Sequence, residues 1–362
     1  MILTILFFII LLGVLVLVHE WGHFIVARKF GVRVEEFAFG FPPQIASTVK
    51  NGTRYALNLI PLGGYVKIFG ESGDPPAGGE HDPESFSSRS IGQRVLIIVA
   101  GVAMNLILAW FLFSLGHGLG LPTVIGEGDH VLHAKVAVIG IAPASPAEQA
   151  KFFFGDTIVS LKSGVDSVSV DRVEQVQDFI ATHRGAVVLV MVLRGKEQHD
   201  LEVTPRINPP SGEGPLGIAM ARVGIVRAPW WRAPWDGLKT TANAVVAIAT
   251  SLWQILRDLV SHGRVPAEIS GPVGIFVFAD ESRRLGLVYL IELAAVLSVN
   301  LAILNVLPIP ALDGGRILFL FIEKVRGARV NQKREQLIHT IGFAILIALM
   351  IAITYRDIVR IL

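Results

Sequence analysis

The sequence predicts a multi-pass α-helical membrane protein with about four transmembrane helices, a membrane-associated β-hairpin element and an inserted α+β domain. Three observations predict it. Of 362 residues, 52% are hydrophobic and mean hydropathy is +0.58, too apolar for one soluble domain. Four apolar stretches come near the roughly 20 residues that a hydrocarbon core requires. Between the second and third, residues 123–223 carry the alternation and turn residues of a water-facing domain.

The first stretch runs from Ile2 to Val18 without a charge and continues through Phe24 to Ala27. No basic residue precedes it and no small-residue cleavage site follows, so it does not read as a signal peptide. The others are Val95 to Leu115, Leu285 to Leu307 and Leu337 to Ile353. Lys and Arg concentrate between the first and second (Arg28, Lys29, Arg33, Arg54, Arg94 among them) and between the third and fourth (Arg316, Lys324, Arg326, Arg334). Both loops are therefore expected in the cytoplasm, and residues 123–223 outside.

Within the first loop, Tyr55 to Ile68 reads as two short strands around a Pro61 to Gly64 turn. Glu71 to Arg89, rich in Gly, Pro, Ser and acid, reads as a mobile surface loop. In the inserted domain, strands are expected at Val136–Ile141, Thr157–Leu161, Ala186–Leu193 and Asp200–Thr204. Ser145 with Pro146 marks a helix start, and Val173, Val176 and Ile180 share one face of a helix over 171–183. The Trp- and Arg-rich run Ala228 to Trp235 suits a membrane interface and leads into a helix from Trp235 to Val260 that lies on the membrane or packs on the spans. The domain plan is thus 1–122, an N-terminal membrane core; 123–223, the outer domain; 224–283, an interfacial segment; and 284–362, a C-terminal membrane core.

Composition excludes several chemistries. A net charge of +2 offers nucleic acid no footprint. Cysteine is absent, so disulfides, thiol nucleophiles and thiolate ligands are ruled out, leaving His, Asp and Glu for any metal.

His19-Glu20-Trp21-Gly22-His23 supplies that set. Residues four apart share a helix face, so both imidazoles reach one zinc ion, while Glu20 reaches the attacking water as a general base. Two histidines and an acid inside an apolar helix are costly unless paired or metal-bound. About 17 residues precede His19, which at 1.5 Å each cover about 25 Å and place the site inside the bilayer near its cytoplasmic edge. Zinc needs a third protein ligand. Asp313, in Asn305-Val-Leu-Pro-Ile-Pro-Ala-Leu-Asp-Gly-Gly, is the best candidate, because the third span breaks at Pro308 and Pro310 at matching depth. Taken alone, an Asp there reads as a helix N-cap; beside the His-Glu motif the ligand reading gains.

These residues resemble the site-2 protease family, particularly its bacterial regulatory members. The resemblance spans nearly the whole chain, through the His19–His23 motif, Asn305 to Gly315, Ile60 to Lys67, Gly101 to Asn105 and Ser270 to Gly274. It implies an intramembrane zinc endopeptidase of the bacterial cytoplasmic membrane that cuts transmembrane segments of single-pass proteins, such as anti-sigma-factor-like regulators or remnant signal peptides. By resemblance, His19, His23 and Asp313 bind zinc, Glu20 is the catalytic base, and Asn305, Pro308 and Pro310 help hold substrate. The strand pair would take substrate as an added strand at Asn58 and Leu59. Residues 145 to 218 resemble a circularly permuted PDZ domain, a single one, with Leu216, Gly217 and Ile218 at a groove for peptide or protein ligands. Gly40-Phe41-Pro42-Pro43 departs from the family's Gly-Phe-Gly-Pro, and Lys151-Phe-Phe-Phe from its usual Gly-Leu. A catalytically silent, membrane-anchored PDZ adaptor is the rival reading, against which Glu20 stands. Glu292 is left out of the site. His81, His117, His130, His133, His183, His199, His262 and His339 lack ligand spacing and read as ordinary.

Overall fold

The computed structural model describes residues 2–71, 82–124, 134–195, 197–210, 212–262, 271–328 and 331–361. In chain order come helix α1 (Ile2–Lys29), strands β1 (Val34–Lys50) and β2 (Thr53–Ile68) and helix α2 (Ile91–Leu119). Then follow β3 (Leu121–Val124), β4 (Lys135–Ile141), α3 (Pro146–Gln149), β5 (Thr157–Ser163), β6 (Asp166–Ser169), α4 (Val173–Thr182), β7 (Val188–Arg194), β8 (Glu197–Val203) and β9 (Ile218–Val226). Helices α5 (Ala233–His262), α6 (Pro272–Leu285), α7 (Leu287–Val306), α8 (Asp313–Arg326) and α9 (Gln332–Ile361) follow. The chain divides into two compact units: 1–113 with 237–276 and 293–362, and 114–236 with 277–292.

Among the described residues of the chain, four helices are long and apolar enough to cross a membrane: Thr4–Lys29, Ile91–Leu119, Leu287–Val306 and Arg334–Val359. Each overlaps one of the four predicted stretches, the third being the shorter 287–306 in place of the expected 285–307, because continuous apolar runs of that length satisfy their backbone only as helices. In the first unit they pack through small faces. Leu11 and Leu15 of α1 meet Ala294 of α7, and Ala109 and Phe113 of α2 meet Ala295 and Val299 of α7. Ala244, Val245 and Ile248 of α5 join that second cluster, so α5 packs on the spans, one of the two arrangements expected. Glu323 of α8 accepts hydrogen bonds from Arg94 of α2 (3.0 Å to Nη1), a bidentate pair that fixes α8 against α2.

The strand element differs from the sequence expectation. Residues 54–57 each face two partners, one in 36–39 and one in 46–49, while 36–39 also face 64–67. Four short segments therefore lie side by side in the order 44–50, 53–58, 34–39, 64–68. The tight turn is at Asn51-Gly52, both with positive φ, rather than at Pro61 to Gly64 alone. Gly40, with φ 82°, makes the bend between the two halves of β1, where a Cβ would lie 2.8 Å from the Ile60 carbonyl oxygen. Of the predicted 71–89 loop, residues 72–81 lie outside the described residues. The remainder is packed: Phe86 is buried with Val32, Val34 and Ile98.

The second unit is built on a sheet of order β3-β9-β4-β5-β7-β8, with β6 beside β5. Its core joins Val136, Val138, Ile158, Leu161, Val188, Val190 and Val192 from the strands to Val176 and Ile180 of α4. Ser145 caps α3 by accepting from the Glu148 amide (3.1 Å) ahead of Pro146. β3 pairs antiparallel with β9, Leu121 opposite Val226.

Candidate metal centre

α1 and α2 approach closely enough to make a site between backbones. A Cβ on Gly22 would lie 2.3 Å from the Ala100 carbonyl oxygen, so only glycine allows this crossing. At the next residue of α2, a Cβ on Gly101 would lie 2.3 Å from His23 Nε2 and 2.8 Å from His19 Cε1. The missing side chain of Gly101 is the space both imidazoles occupy. His19 and His23 are 6% and 7% exposed.

Asp313 enters from the other side. α7 stops at Val306 and α8 starts at Asp313, with Leu312 at the N-cap position making no side-chain cap. The Asp313 carboxylate is thus not spent on capping its own helix. Its Oδ2 lies 3.1 Å from His19 Nε2 and 3.3 Å from His23 Nε2, and the two Nε2 atoms are 3.2 Å apart.

Those three distances test the fit to zinc. Bonds of about 2.0–2.1 Å in a tetrahedron give a ligand–ligand edge of about 3.3 Å. The triangle matches that edge on every side. Asp313 Oδ2 is also buried without a hydrogen-bond partner among the described residues, as a donor atom awaiting a cation is. Nothing in the chemistry of two imidazoles and a carboxylate opposes zinc, and the fourth position stays open for water or substrate, as catalytic sites require.

An outer layer aims the rings. His23 Nδ1–H donates to the Ile97 carbonyl of α2 (2.9 Å), leaving Nε2 for the metal. His19 Nδ1 lies 3.2 Å from the fully buried Asn105 amide, whose Oδ1 is without a partner among the described residues. With that amide turned by half a rotation, Oδ1 accepts from His19 Nδ1–H. Ser298 of α7 in turn donates to the Asn105 carbonyl oxygen (2.7 Å). Asn105 and Ile97 belong to no ligand pattern in the sequence. Only the Gly101 to Asn105 landmark pointed toward α2.

Glu20 is half-buried beside His19 on α1. Asn305, at the end of α7, brings its amide nitrogen 3.5 Å from His19 Nε2. Pro308 and Pro310 lie in the loop between α7 and α8, Pro308 exposed and Pro310 half-buried. Asn58 is not on an open strand edge. Asn58 is 4% exposed, pairs with Gln44 and donates to the Gly40 carbonyl oxygen (3.0 Å), whereas Leu59 is exposed. The outer strands are 44–50 and 64–68. In the second unit, Leu216 is in the core and Gly217 (φ 73°) donates to Gly214 while accepting from Ala142 (2.8 Å). Ile218 opens β9, whose residues 218–222 pair with β4 on one side only among the described residues. His81, His130 and His133 lie outside the described residues.

A membrane-helix scaffold holding a His–His–Asp triangle with an adjacent Glu defines a zinc metalloprotease. The chain belongs to peptidase family M50, which residues 7–349 match. It is 30% identical to zinc metalloprotease RasP of Oceanobacillus iheyensis, with 99% of each chain covered. To zinc metalloprotease RasP of Shouchella clausii it is also 30% identical, covering 98% of each.

Proposed function

We propose that this metalloprotease works inside the bacterial cytoplasmic membrane, cleaving transmembrane segments of single-pass proteins such as anti-sigma-factor-like regulators or remnant signal peptides. The observation that carries the reading is the donor triangle, with two of its corners on a helix apolar enough to span. The Lys and Arg of the loops favour a cytoplasmic side for the site and an outer side for residues 123–223.

His19, His23 and Asp313 would hold zinc, which when bound would supply Lewis acidity for the scissile carbonyl and the attacking water. Glu20 accepts the proton of that water and passes it to the leaving amine nitrogen. Asn305 donates to the substrate backbone beside His19, and Pro308 and Pro310 hold the reversal that presents Asn305 and Asp313 together. A transmembrane helix hides its peptide bonds in its own hydrogen bonds, so substrate must extend, and the strand element offers it replacement partners. Residues 123–223 act as a PDZ-like filter, with peptide or protein ligands at Leu216 to Ile218 and the open side of β9.

The test is cleavage of a reporter single-pass protein by wild type and Glu20→Gln. The variant is expected to keep its zinc and lose at least about 100-fold in rate, the scale of a general base. Cleavage by Glu20→Gln at the wild-type rate would remove Glu20 as the base, and no cleavage by the wild type would support the silent adaptor.

A further inference from the structure

Asp313 opens α8 directly after the loop 307–312 that joins it to α7. Between the end of α7 and the start of α8, Ala311 sits at φ 79°, a left-handed conformation that a residue with a Cβ adopts only when its surroundings impose it. α9 supplies the imposition. His339 Nδ1 accepts a hydrogen bond from the Ala311 N–H at 2.8 Å. Three residues along α9, a Cβ on Gly342 would lie 2.4 Å from Pro310 Cβ and 2.8 Å from its carbonyl oxygen, so the α9 backbone presses directly on the loop. The ring of His339 rests against Phe319 of α8, with centroids 5.5 Å apart, which sets its angle.

Accepting at Nδ1 puts the ring proton on Nε2. That atom is buried and without a hydrogen-bond partner among the described residues. A ring that only filled space would gain nothing from a nitrogen there; among the described residues its one hydrogen bond is to the Ala311 amide.

We propose that His339 is a positioning residue for the metal centre: by holding the Ala311 amide it locks the loop that sets Asp313 against His19 and His23. The inference rests on Asp313 as the third ligand, and it gives a specific task to a histidine that the sequence marks as ordinary.

The test uses full-length protein in detergent, with zinc affinity measured by competition against a chelator, and kcat and KM on the reporter substrate. His339→Leu keeps bulk but offers no acceptor, and is expected to weaken zinc binding by about tenfold or more, the scale of lost support to a metal ligand, and to lower kcat more than KM. His339→Asn carries a carbonyl oxygen the same number of bonds from the backbone as Nδ1 and is expected to restore most of the affinity. Adding Ala311→Gly to His339→Leu should also recover affinity, because glycine takes φ 79° without constraint. A folded His339→Leu protein with wild-type zinc affinity, or an Asn variant no better than the Leu one, would overturn the proposal. Should His339→Leu not fold, His339→Gln decides: its oxygen lies one bond too far, so affinity below that of His339→Asn is expected and equality refutes. Asp313→Asn separates the two ideas. If it leaves zinc affinity unchanged the ligand reading fails; if it weakens zinc while His339→Leu does not, only the positioning role fails.

Discussion

At the scale of single residues, the centre depends as much on an absent side chain as on those present. Gly101→Ala would place a methyl group 2.3 Å from His23 Nε2 and 2.8 Å from His19 Cε1, inside the space of both rings. Both imidazoles must then turn from the metal. Gly101→Ala is therefore expected to lose zinc as completely as His23→Ala, although it removes no ligand. Asp313→Asn keeps shape but replaces an anionic donor, and should lower zinc affinity by more than tenfold. Metal analysis of the purified variants checks both; full zinc content in Gly101→Ala would show that the helices part more easily than this packing implies. The two histidines were legible in the sequence, because a spacing of four on a helix is a geometric statement, whereas Asp313 stood out only by the break of the third span and the family resemblance. The partners of His19 and His23 were not. One is a backbone carbonyl, at Ile97, and the other an asparagine whose spacing carries no metal signature.

At the scale of elements, the strand assembly was only half legible. Alternation and Gly-Pro turns announce strands, but register is set by pairings that a single segment does not display. The sequence thus suggested an open edge at Asn58 and Leu59, whereas 53–58 is an inner strand. Of the two outer strands, 64–68 lies nearer the chemistry. Its Gly64 approaches Val16 of α1 (3.5 Å from a built Cβ), one helical turn before Glu20 on the same face. Substrate added there would run beside Glu20, the proposed base. Adjacent residues of an edge strand alternate outward and inward amides, so Tyr65→Pro and Val66→Pro form a natural pair. The variant that loses the outward amide should keep its zinc and its fold but lose most cleavage, whereas Thr48→Pro on the opposite edge should retain activity. Comparable cleavage by all three would remove 64–68 from the substrate path.

At the scale of the whole molecule, residues 121–226 begin and end beside each other. Their core joins the strands, α3 and α4 with Phe152, Val170 and Leu216 of the connections, and their ends are a paired couple of residues, Leu121 and Val226. Opposed residues of an antiparallel pair have Cα atoms only about 4.5–5.5 Å apart. Residues 122–225 can therefore be replaced by a short Gly-Ser linker without pulling α2 and α5 from their places. Such a variant is expected to hold zinc and to cut a reporter with a short outer segment at least as well as the full chain. It should also begin to accept a reporter with the same transmembrane segment and a bulky outer domain. A folded, zinc-loaded variant that cuts neither reporter would make the unit part of the catalytic apparatus and end the filter proposal.

The bond from His23 to the Ile97 carbonyl has a consequence for reading natural variation. A main-chain oxygen cannot be mutated away, so position 97 is free to drift among helix-compatible apolar residues while its contribution to the metal persists. A saturation library scored for activity should show a deep trough at Asn105 and a shallow one at Ile97, though each supports one imidazole. Ranking positions by tolerance would then count one of these two supports and overlook the other.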